Sequence, residues 1–192
     1  IQELLNTTIT ILEQISKKDL IQHLEYLTKQ QATQIRKWNE TDKDYPHNKT
    51  IHELFEEQAV KTPDNLAVIF IEEKMTYREL NERAECLACY LKFLDITENE
   101  KLIAISFDKS LELIISLLGV LKAGMAFVPL DPNYPQHRLN YMLKDTQSAV
   151  LLTQSHLVQN FSNYKNKIIC LDKDWAEILE LSNQVKDAAS FH

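Results

Sequence analysis

Residues 121–132 read LKAGMAFVPLDP, and the pattern changes from helix to strand within this stretch. Gly124 directly follows an apolar segment with helical spacing, and glycine at that place closes a helix because it adopts a left-handed backbone without a Cβ clash. The apolar run 126–130 predicts a short buried strand, and Pro129 and Pro132 lack the N–H groups needed to continue it inside a sheet. The stretch therefore predicts a helix, a tight turn, a strand and an abrupt exit.

The alternation of helix and strand patterns continues on both sides of this stretch. We predict, in chain order, a helix between Thr50 and Thr62, strand 66–71, helix 77–94, strand 102–107, helix 110–123, strand 126–130, helix 135–145, strand 149–153, a short helix near 155–161, strand 168–171 and helix 174–181. Strands 102–107 and 149–153 are apolar apart from Ser106 and Thr153, as expected when both faces of a sheet are covered. The sequence therefore predicts an α/β fold with a mostly parallel sheet and covering helices.

The first fifty residues follow a different pattern. Apolar residues at helical spacing predict an amphipathic helix over Gln2–Ile15, and the capping-box spacing of Thr28 and Gln31 predicts the start of a second helix. Segment 39–49 is polar and has no apolar period, so we predict the principal linker there. Short helices are therefore expected to precede the α/β region.

Composition excludes several classes of function. The net charge of −7 opposes binding to a nucleic-acid backbone, and the apolar stretch 111–121 is interrupted by Glu112 and too short to span a membrane. With three cysteines and no secretory leader at the start, we expect a cytoplasmic location. The chain has only two glycines, whereas a phosphate-gripping loop needs several, so neither a dinucleotide fingerprint nor a P-loop occurs.

No residue is assigned a catalytic, cofactor-binding or metal-binding role. Lys122 and Asp131 are the tempting pair, but Lys122 suits the negative end of a helix dipole and Asp131 suits a turn before proline. Asp131 and Asn133 follow a strand, and ligands of open parallel sheets collect at the carboxyl ends of strands. We therefore expect these two residues on the side of the sheet where an active site would lie, without chemistry of their own.

The remaining candidates have structural explanations. Thr76 and Glu79 have the spacing of a capping box. Cys86 and Cys89 have the spacing of half a zinc site, but zinc needs four ligands and Cys170 stands alone. The six histidines are scattered and give no catalytic triad.

Two motifs carry a resemblance to a known family. Leu121–Pro132, followed by Tyr134-Pro135 and Arg138-Leu139, resembles the second core motif of the adenylation domains of nonribosomal peptide synthetases. Met75–Asn81 (MTYRELN) is similar to the first core motif of that family. The series from Trp38 through Tyr45-Pro46 to Thr62-Pro63 resembles the linker that joins a condensation domain to an adenylation domain.

The resemblance implies a division of the chain into four parts. Residues 1–38 would be the C-terminal tail of a condensation domain, 39–49 the linker, 50–184 the N-terminal part of the adenylation domain, and 185–192 a disordered or non-native tail. Lys109 stands before Ser110 where relatives commonly have arginine, so a bidentate contact made by that arginine is in doubt here.

The resemblance also implies an activity for the complete enzyme, a ligase of secondary metabolite biosynthesis. It would activate an amino acid with ATP and Mg²⁺ to an aminoacyl-AMP and pass it to the phosphopantetheine of a carrier domain. The chain lacks the family's phosphate loop, specificity pocket, ribose-binding and catalytic-lysine motifs. We therefore expect a truncated fragment that alone neither adenylates nor binds ATP tightly, and whose partners are the rest of the adenylation domain, the carrier domain and the condensation domain.

Two alternatives remain open. The chain could be a non-catalytic docking or scaffold piece that completes a split synthetase. It could also be the N-terminal part of an acyl-CoA ligase of the same superfamily, although the linker-like series favours the peptide synthetase.

Overall fold

The computed structural model describes residues 2–15, 27–94, 96 and 102–189. The chain forms two compact units, Ile1–Asn48 and Lys49–His192, and each is described by itself. The division falls at the end of the polar segment predicted to be a linker. None of the described helices is long and apolar enough to cross a membrane.

The described residues of the first unit form helices α1 (Gln2–Ile15) and α2 (Lys29–Trp38). The predicted capping box opens α2, because the Gln31 N–H donates to the Thr28 hydroxyl at 3.2 Å and the Thr28 N–H donates to the Gln31 side chain at 2.9 Å. Both helices leave apolar side chains exposed. These are Leu4, Leu5, Ile9, Leu12, Ile15, Ile35 and Trp38.

The second unit is an α/β domain, as the sequence predicts. Its elements are α3 (Ile51–Lys61), β1 (Leu66–Phe70), β2 (Glu73–Thr76), α4 (Tyr77–Phe93), β3 (Leu102–Ser106), α5 (Leu111–Lys122), β4 (Ala126–Pro129), α6 (Gln136–Thr146), β5 (Val150–Thr153), a 3₁₀ helix (Ser155–Phe161), β6 (Lys167–Cys170) and α7 (Trp175–Ala189). Strands β3 to β6 form a parallel sheet in the order β4-β3-β5-β6.

Helices cover both faces of this sheet, because alternate residues of each strand enter different apolar clusters. Ile103 and Ile105 of β3 join a cluster with residues of α4, α5 and α7. Ala104, between them, joins a second cluster with Leu139 of α6 and Phe161 of the 3₁₀ helix. The two-residue period of a strand thus distributes adjacent apolar residues between two buried layers.

The first predicted strand, 66–71, forms a strand, but it does not pair as predicted. Strand β1 does not belong to the parallel sheet but pairs antiparallel with β2, and the two form a separate hairpin. The sequence pattern predicts no strand at 73–76, because Glu73 and Lys74 are charged. In the structure only Met75 of β2 is buried.

The last helix is longer than predicted. Helix α7 continues to Ala189, whereas we expected its end at 181, so the boundary placed at 185 falls within a helix. Few of the residues after 181 are apolar, but most of these residues are compatible with a helix. The apolar pattern alone therefore predicts a helix that is too short. Residues 190–192 lie outside the described residues.

Gly124 ends α5 as predicted. Its φ is 77°, the Gly124 N–H donates to the Leu121 carbonyl at 3.0 Å, and the Met125 N–H donates to the Val120 carbonyl at 3.1 Å. This pair of hydrogen bonds is the Schellman motif. The motif reverses the chain and leads directly into β4.

Candidate functional site at the carboxyl ends of the parallel strands

The order of the strands places a topological switch point between β3 and β5. The chain passes from β3 to β4 on one side of β3, and the next crossover carries it to β5 on the other side. In open α/β sheets ligands bind outside the carboxyl ends of the strands at such a point. The loops that follow β3 and β5 are therefore the candidate functional site.

Three polar side chains join these two loops. His156 Nε2 lies 2.8 Å from Asp108 Oδ2, and the Asp108 N–H donates to Gln154 Oε1 at 2.9 Å. The side chains of His156 and Asp108 are 57% and 54% exposed. A half-exposed pair of this kind can exchange its hydrogen bonds for those of a ligand, and it contributes little to stability.

The two aspartates that follow β6 already accept hydrogen bonds from neighbouring residues of the chain. Asp172 accepts hydrogen bonds from the Ser155 N–H at 2.9 Å and from the Ser155 hydroxyl at 2.6 Å. Asp174 accepts from the Cys170 N–H at 2.8 Å. Burial, together with the Asp174 and Asp172 carboxylates, raises the pKa of the Cys170 thiol, so the thiolate is disfavoured and Cys170 is a poor nucleophile.

The carboxyl end of β4 is a structural turn. Asp131 accepts hydrogen bonds from the Asn133 N–H at 2.9 Å and from its amide at 3.1 Å. The Arg138 guanidinium lies 4.0 Å from the centre of the Tyr134 ring. The second core-like motif therefore fixes a turn, and Asp131 and Asn133 lie at the carboxyl edge as expected from their position in the chain.

Lys122 lies at the opposite end of β4 from Asp131, because α5 ends just before that strand begins. Its side chain is 3% exposed and forms ion pairs with Glu56 of α3 and with Glu85 of α4, the latter at 3.1 Å. These contacts connect three helices. Lys122 and Asp131 do not form a site together, and the helix-dipole explanation for Lys122 omitted its two carboxylate partners.

The other candidate residues occupy structural positions. The Glu79 N–H donates to the Thr76 hydroxyl at 3.2 Å, and the Thr76 N–H and hydroxyl donate to the Glu79 carboxylate at 2.8 and 2.9 Å. The two hydrogen bonds that the carboxylate accepts, the backbone one first, hold the pKa of Glu79 below its ordinary value. The Ser110 hydroxyl accepts from the Leu113 N–H at 3.3 Å and caps α5.

The described cysteines and histidines form no cluster that could hold a metal ion. Cys86, Cys89 and Cys170 are free thiols. Within the described ranges, no three His, Cys, Asp or Glu side chains are grouped so that they could hold a metal ion. His23 and His192 lie outside the described residues. The absence of catalytic, cofactor-binding and metal-binding residues stays a prediction.

The contact between Asp108 and His156 is not predicted from the sequence. Asp108 is not singled out by the sequence pattern, and His156 is one of six scattered histidines. The two residues are separated by 48 positions, and only the pairing of β3 with β5 brings their loops together. A local motif gives no signal for such a contact.

The sequence pattern of the family described as AMP-binding enzyme matches residues 55–190. One of the subunits of mycosubtilin synthase from Bacillus subtilis is 41% identical over 175 residues, which are 88% of this chain and 7% of that protein. The chain therefore spans a small part of this relative.

Solved structures agree with this match. NpsA of Klebsiella oxytoca, determined in complex with 3-hydroxyanthranilyl-AMSN, superimposes with a TM-score of 0.59 at 26% identity, over 69% of this chain and 26% of that one. The nonribosomal peptide synthetase FmoA3 has the same fold, with a TM-score of 0.67 at 21% identity, over 90% of this chain and 19% of that one. The chain belongs to the AMP-binding enzyme family and corresponds to the N-terminal portion of a nonribosomal peptide synthetase adenylation domain.

Proposed function

We propose that this chain is the structural N-terminal portion of an enzyme that activates an amino acid with ATP, giving an aminoacyl-AMP for transfer to a carrier-domain phosphopantetheine. The family match over residues 55–190 carries this proposal. The 41% identity to the mycosubtilin synthase protein supports the peptide synthetase assignment. ATP, Mg²⁺ and the phosphopantetheine are inferred from the family.

The two glycines and Lys122 do not offer a binding site to the phosphates of ATP. Gly119 lies within α5, and Gly124 forms the turn that ends it. Lys122 is buried against two carboxylates and is not available to a phosphate. We therefore assign the phosphoryl chemistry to residues outside this chain, and we assign to this chain the support of the sheet and its carboxyl-edge loops.

We also propose a role for the first unit and for the remaining synthetase domains. Unit Ile1–Asn48 would be the tail of a condensation domain followed by the linker. The match to the mycosubtilin synthase protein covers 88% of this chain, more than the second unit alone accounts for, and this supports a synthetase in which both units occur in sequence. The partners would be the condensation domain, the rest of the adenylation domain and a carrier domain. The free thiols of the three cysteines are consistent with the cytoplasmic location that we expect.

A hybrid enzyme tests this proposal. The stretch of the mycosubtilin synthase protein that aligns with this chain is replaced by this chain, and amino-acid-dependent exchange of pyrophosphate into ATP is measured. We expect exchange by the hybrid and none by the chain alone. A folded hybrid without exchange for any amino acid would contradict the proposed function, and exchange by the chain alone would contradict the assignment of the chemistry to other residues.

The acyl-CoA ligase alternative is disfavoured by the 41% identity to the mycosubtilin synthase protein. The docking-piece alternative is tested with the same host protein lacking the aligned stretch. A chain that restores activity only when added as a separate polypeptide would indicate a docking piece of a split synthetase.

A further inference from the structure

Helix α3 is held on the second unit by few apolar contacts. Of its 11 residues only Ala59 is buried, whereas seven residues of α4 and five of α5 are buried. Phe55 adds partial packing against the large core cluster, and its ring centre lies 5.8 Å from that of Tyr77. A helix of this length is marginal in water on its own. The position of α3 therefore depends on its remaining contact with the core.

This remaining contact is the ion pair of Glu56 with Lys122. Among the described residues, it is the only side-chain hydrogen bond between α3 and another helix. Lys122 is 3% exposed and also donates to Glu85 of α4 at 3.1 Å, and the Glu56 and Glu85 side chains are 42% and 45% exposed. If α3 leaves, Lys122 keeps Glu85 and gains water, so no charge is left buried without a partner. The shared cation therefore lowers the cost of separating α3 from the core.

The other polar contacts of α3 lie within its own segment of the chain. The Thr50 N–H donates to the Glu53 carboxylate at 2.6 Å, and the Glu53 N–H donates to the Thr50 hydroxyl at 3.4 Å. Glu57 forms an ion pair with Lys49, which stands just before the helix. These contacts move with the helix, so separation from the core does not break them.

The segment that follows α3 is fixed to the first turn of α4. The Arg78 N–H donates to the Pro63 carbonyl at 3.0 Å, and the Tyr77 N–H donates to the Asn65 carbonyl at 3.0 Å. Thr62 lies between this fixed segment and the last residue of α3, and its φ of −138° and ψ of 62° are not helical. The boundary between a separable helix and a fixed core therefore falls at Thr62.

We propose that α3 is a reversible latch, which docks on α4 and α5 through Glu56 and Lys122 and separates from them at Thr62 while the rest of the α/β domain stays folded. The docked state is the favoured one, because only there is the inner face of α3 covered. The polar segment 39–49, predicted to be a linker, directly precedes α3. A helix of 11 residues is about 16 Å long, so release lengthens the connection ahead of the core by about this distance. The latch is independent of the proposed function.

Native-state hydrogen exchange of the unsubstituted chain tests the latch, with the exchange of each helix resolved by peptide mass spectrometry. Separated α3 is too short to stay helical, so its amides should exchange about a hundredfold faster than those around the fully buried Leu87 of α4. Equal exchange in the two helices would show that α3 opens only when the whole domain unfolds, and would overturn the inference.

Glu56→Gln and Glu85→Gln are a matched pair, because each removes one carboxylate of similar exposure from Lys122. Glu56→Gln should speed exchange in α3 about tenfold, because its ion pair exists only in the docked state. Glu85→Gln should leave exchange in α3 unchanged or slower, because its ion pair is present whether or not α3 is docked. Both should speed the exchange of α4 through global unfolding. Equal acceleration of α3 by the two substitutions, or none by Glu56→Gln, would contradict the latch.

Cysteine labelling gives a second measurement of the same opening. Ala59→Cys places a thiol on the inner face of α3, and native Cys86 is the matched control, because both positions are 6% exposed. Maleimide should modify the introduced thiol about a hundredfold faster than Cys86, and adding Glu56→Gln should raise the first rate about tenfold. Equal rates at the two thiols would overturn the inference. If Ala59→Cys does not fold, the hydrogen-exchange comparison of Glu56→Gln with Glu85→Gln decides the question.

Discussion

At the amino end of β4 the charge of Lys122 is buried between two carboxylates, whereas at the carboxyl ends of β3 and β5 the Asp108–His156 pair is more than half exposed. The amino end contains ion pairs and the carboxyl end a histidine–carboxylate hydrogen bond, and the two differ in their access to water. A buried charge must keep its partners, while an exposed pair can lose them at little cost. The amino end is therefore built for stability, and the carboxyl end is left available for ligands.

If this contrast is correct, Lys122→Ala should have the largest effect. Removal of the ammonium leaves Glu56 and Glu85 without their shared partner and opens space between three helices. We expect a loss of about 3 kcal/mol in the free energy of unfolding. This value is at the lower end of the range for removing one partner of a buried ion pair, because the two carboxylates are partly exposed. Urea denaturation followed by circular dichroism measures this loss.

The matched control for this substitution is Lys92→Ala, in the last turn of α4. Lys92 is exposed, so its loss should cost less than about 0.5 kcal/mol. Equal effects of the two substitutions would show that the burial of Lys122 has no energetic consequence.

Gly119→Ala should have the next largest effect. A Cβ at this position would lie 2.8 to 3.0 Å from three side-chain atoms of Leu87, where α5 packs against α4. We expect a net loss of about 1 kcal/mol, because overpacking costs about 1–3 kcal/mol and alanine returns up to about 1 kcal/mol of helix propensity. The midpoint of thermal unfolding should fall accordingly.

Gly124→Ala provides the comparison for Gly119→Ala, because nothing lies within 4 Å of a Cβ at Gly124 and the only cost is its φ of 77°. Replacing Leu87 with alanine should rescue Gly119→Ala but not Gly124→Ala. The absence of this selective rescue would contradict the steric explanation.

Tyr164→Phe should change stability in a defined range of pH. The Tyr164 hydroxyl donates to the Ser148 carbonyl at 2.7 Å just before β5, and burial raises the pKa of Tyr164 to about 12. A folded pKa above the unfolded value of 10.0 favours folding below pH 10, and this contribution is lost as the pH rises from 10 to about 12. The unsubstituted protein should lose more stability over this window than Tyr164→Phe does, by denaturant titration at each pH.

At neutral pH the same substitution should cost about 0.5–1.5 kcal/mol, the usual contribution of one hydrogen bond. The Ser148 carbonyl keeps the amide of Asn166 as a donor at 2.9 Å, so it is not left unpaired. Identical pH profiles for the two proteins would show that Tyr164 is not responsible for the loss at high pH.

His156→Gln should have the smallest effect. It removes an exposed histidine–carboxylate contact at the carboxyl edge, and we expect a change below about 0.5 kcal/mol in the free energy of unfolding. His137→Gln, at an exposed position of α6, should behave similarly. A loss above about 1 kcal/mol at His156 alone would show that the carboxyl edge is also structural, and the contrast between the two ends would fail.

Local signals in the sequence predict the helices well. The Thr28, Thr50 and Thr76 side chains all form the capping boxes that their spacing indicates, and each places a helix start to the residue. Gly124 places a helix end in the same way. These signals act within a few residues, so they do not depend on the rest of the fold.

Contacts between residues that are distant in the sequence are harder to predict from such local signals. An apolar run such as 66–70 indicates a strand but not its partner, and the parallel sheet was therefore expected where the structure has a hairpin. The Asp108–His156 contact requires the strand order, and the partners of Lys122 require the packing of α3 and α4 on α5. The position of Asp131 could be predicted because it depends only on the end of its own strand.

Pro129 in β4 makes the outer border of the parallel sheet asymmetric. The Leu130 N–H donates inward to the Ile105 carbonyl at 2.8 Å, so the nitrogen of Pro129, one residue earlier, faces outward and carries no hydrogen. A strand arriving beside β4 would meet a gap in the ladder. At the other border β6 contains no proline, but its outward-facing Cys170 N–H already donates to the Asp174 carboxylate. Lateral growth of this sheet is thus hindered at β4 by a missing donor and at β6 by a donor that already has its acceptor.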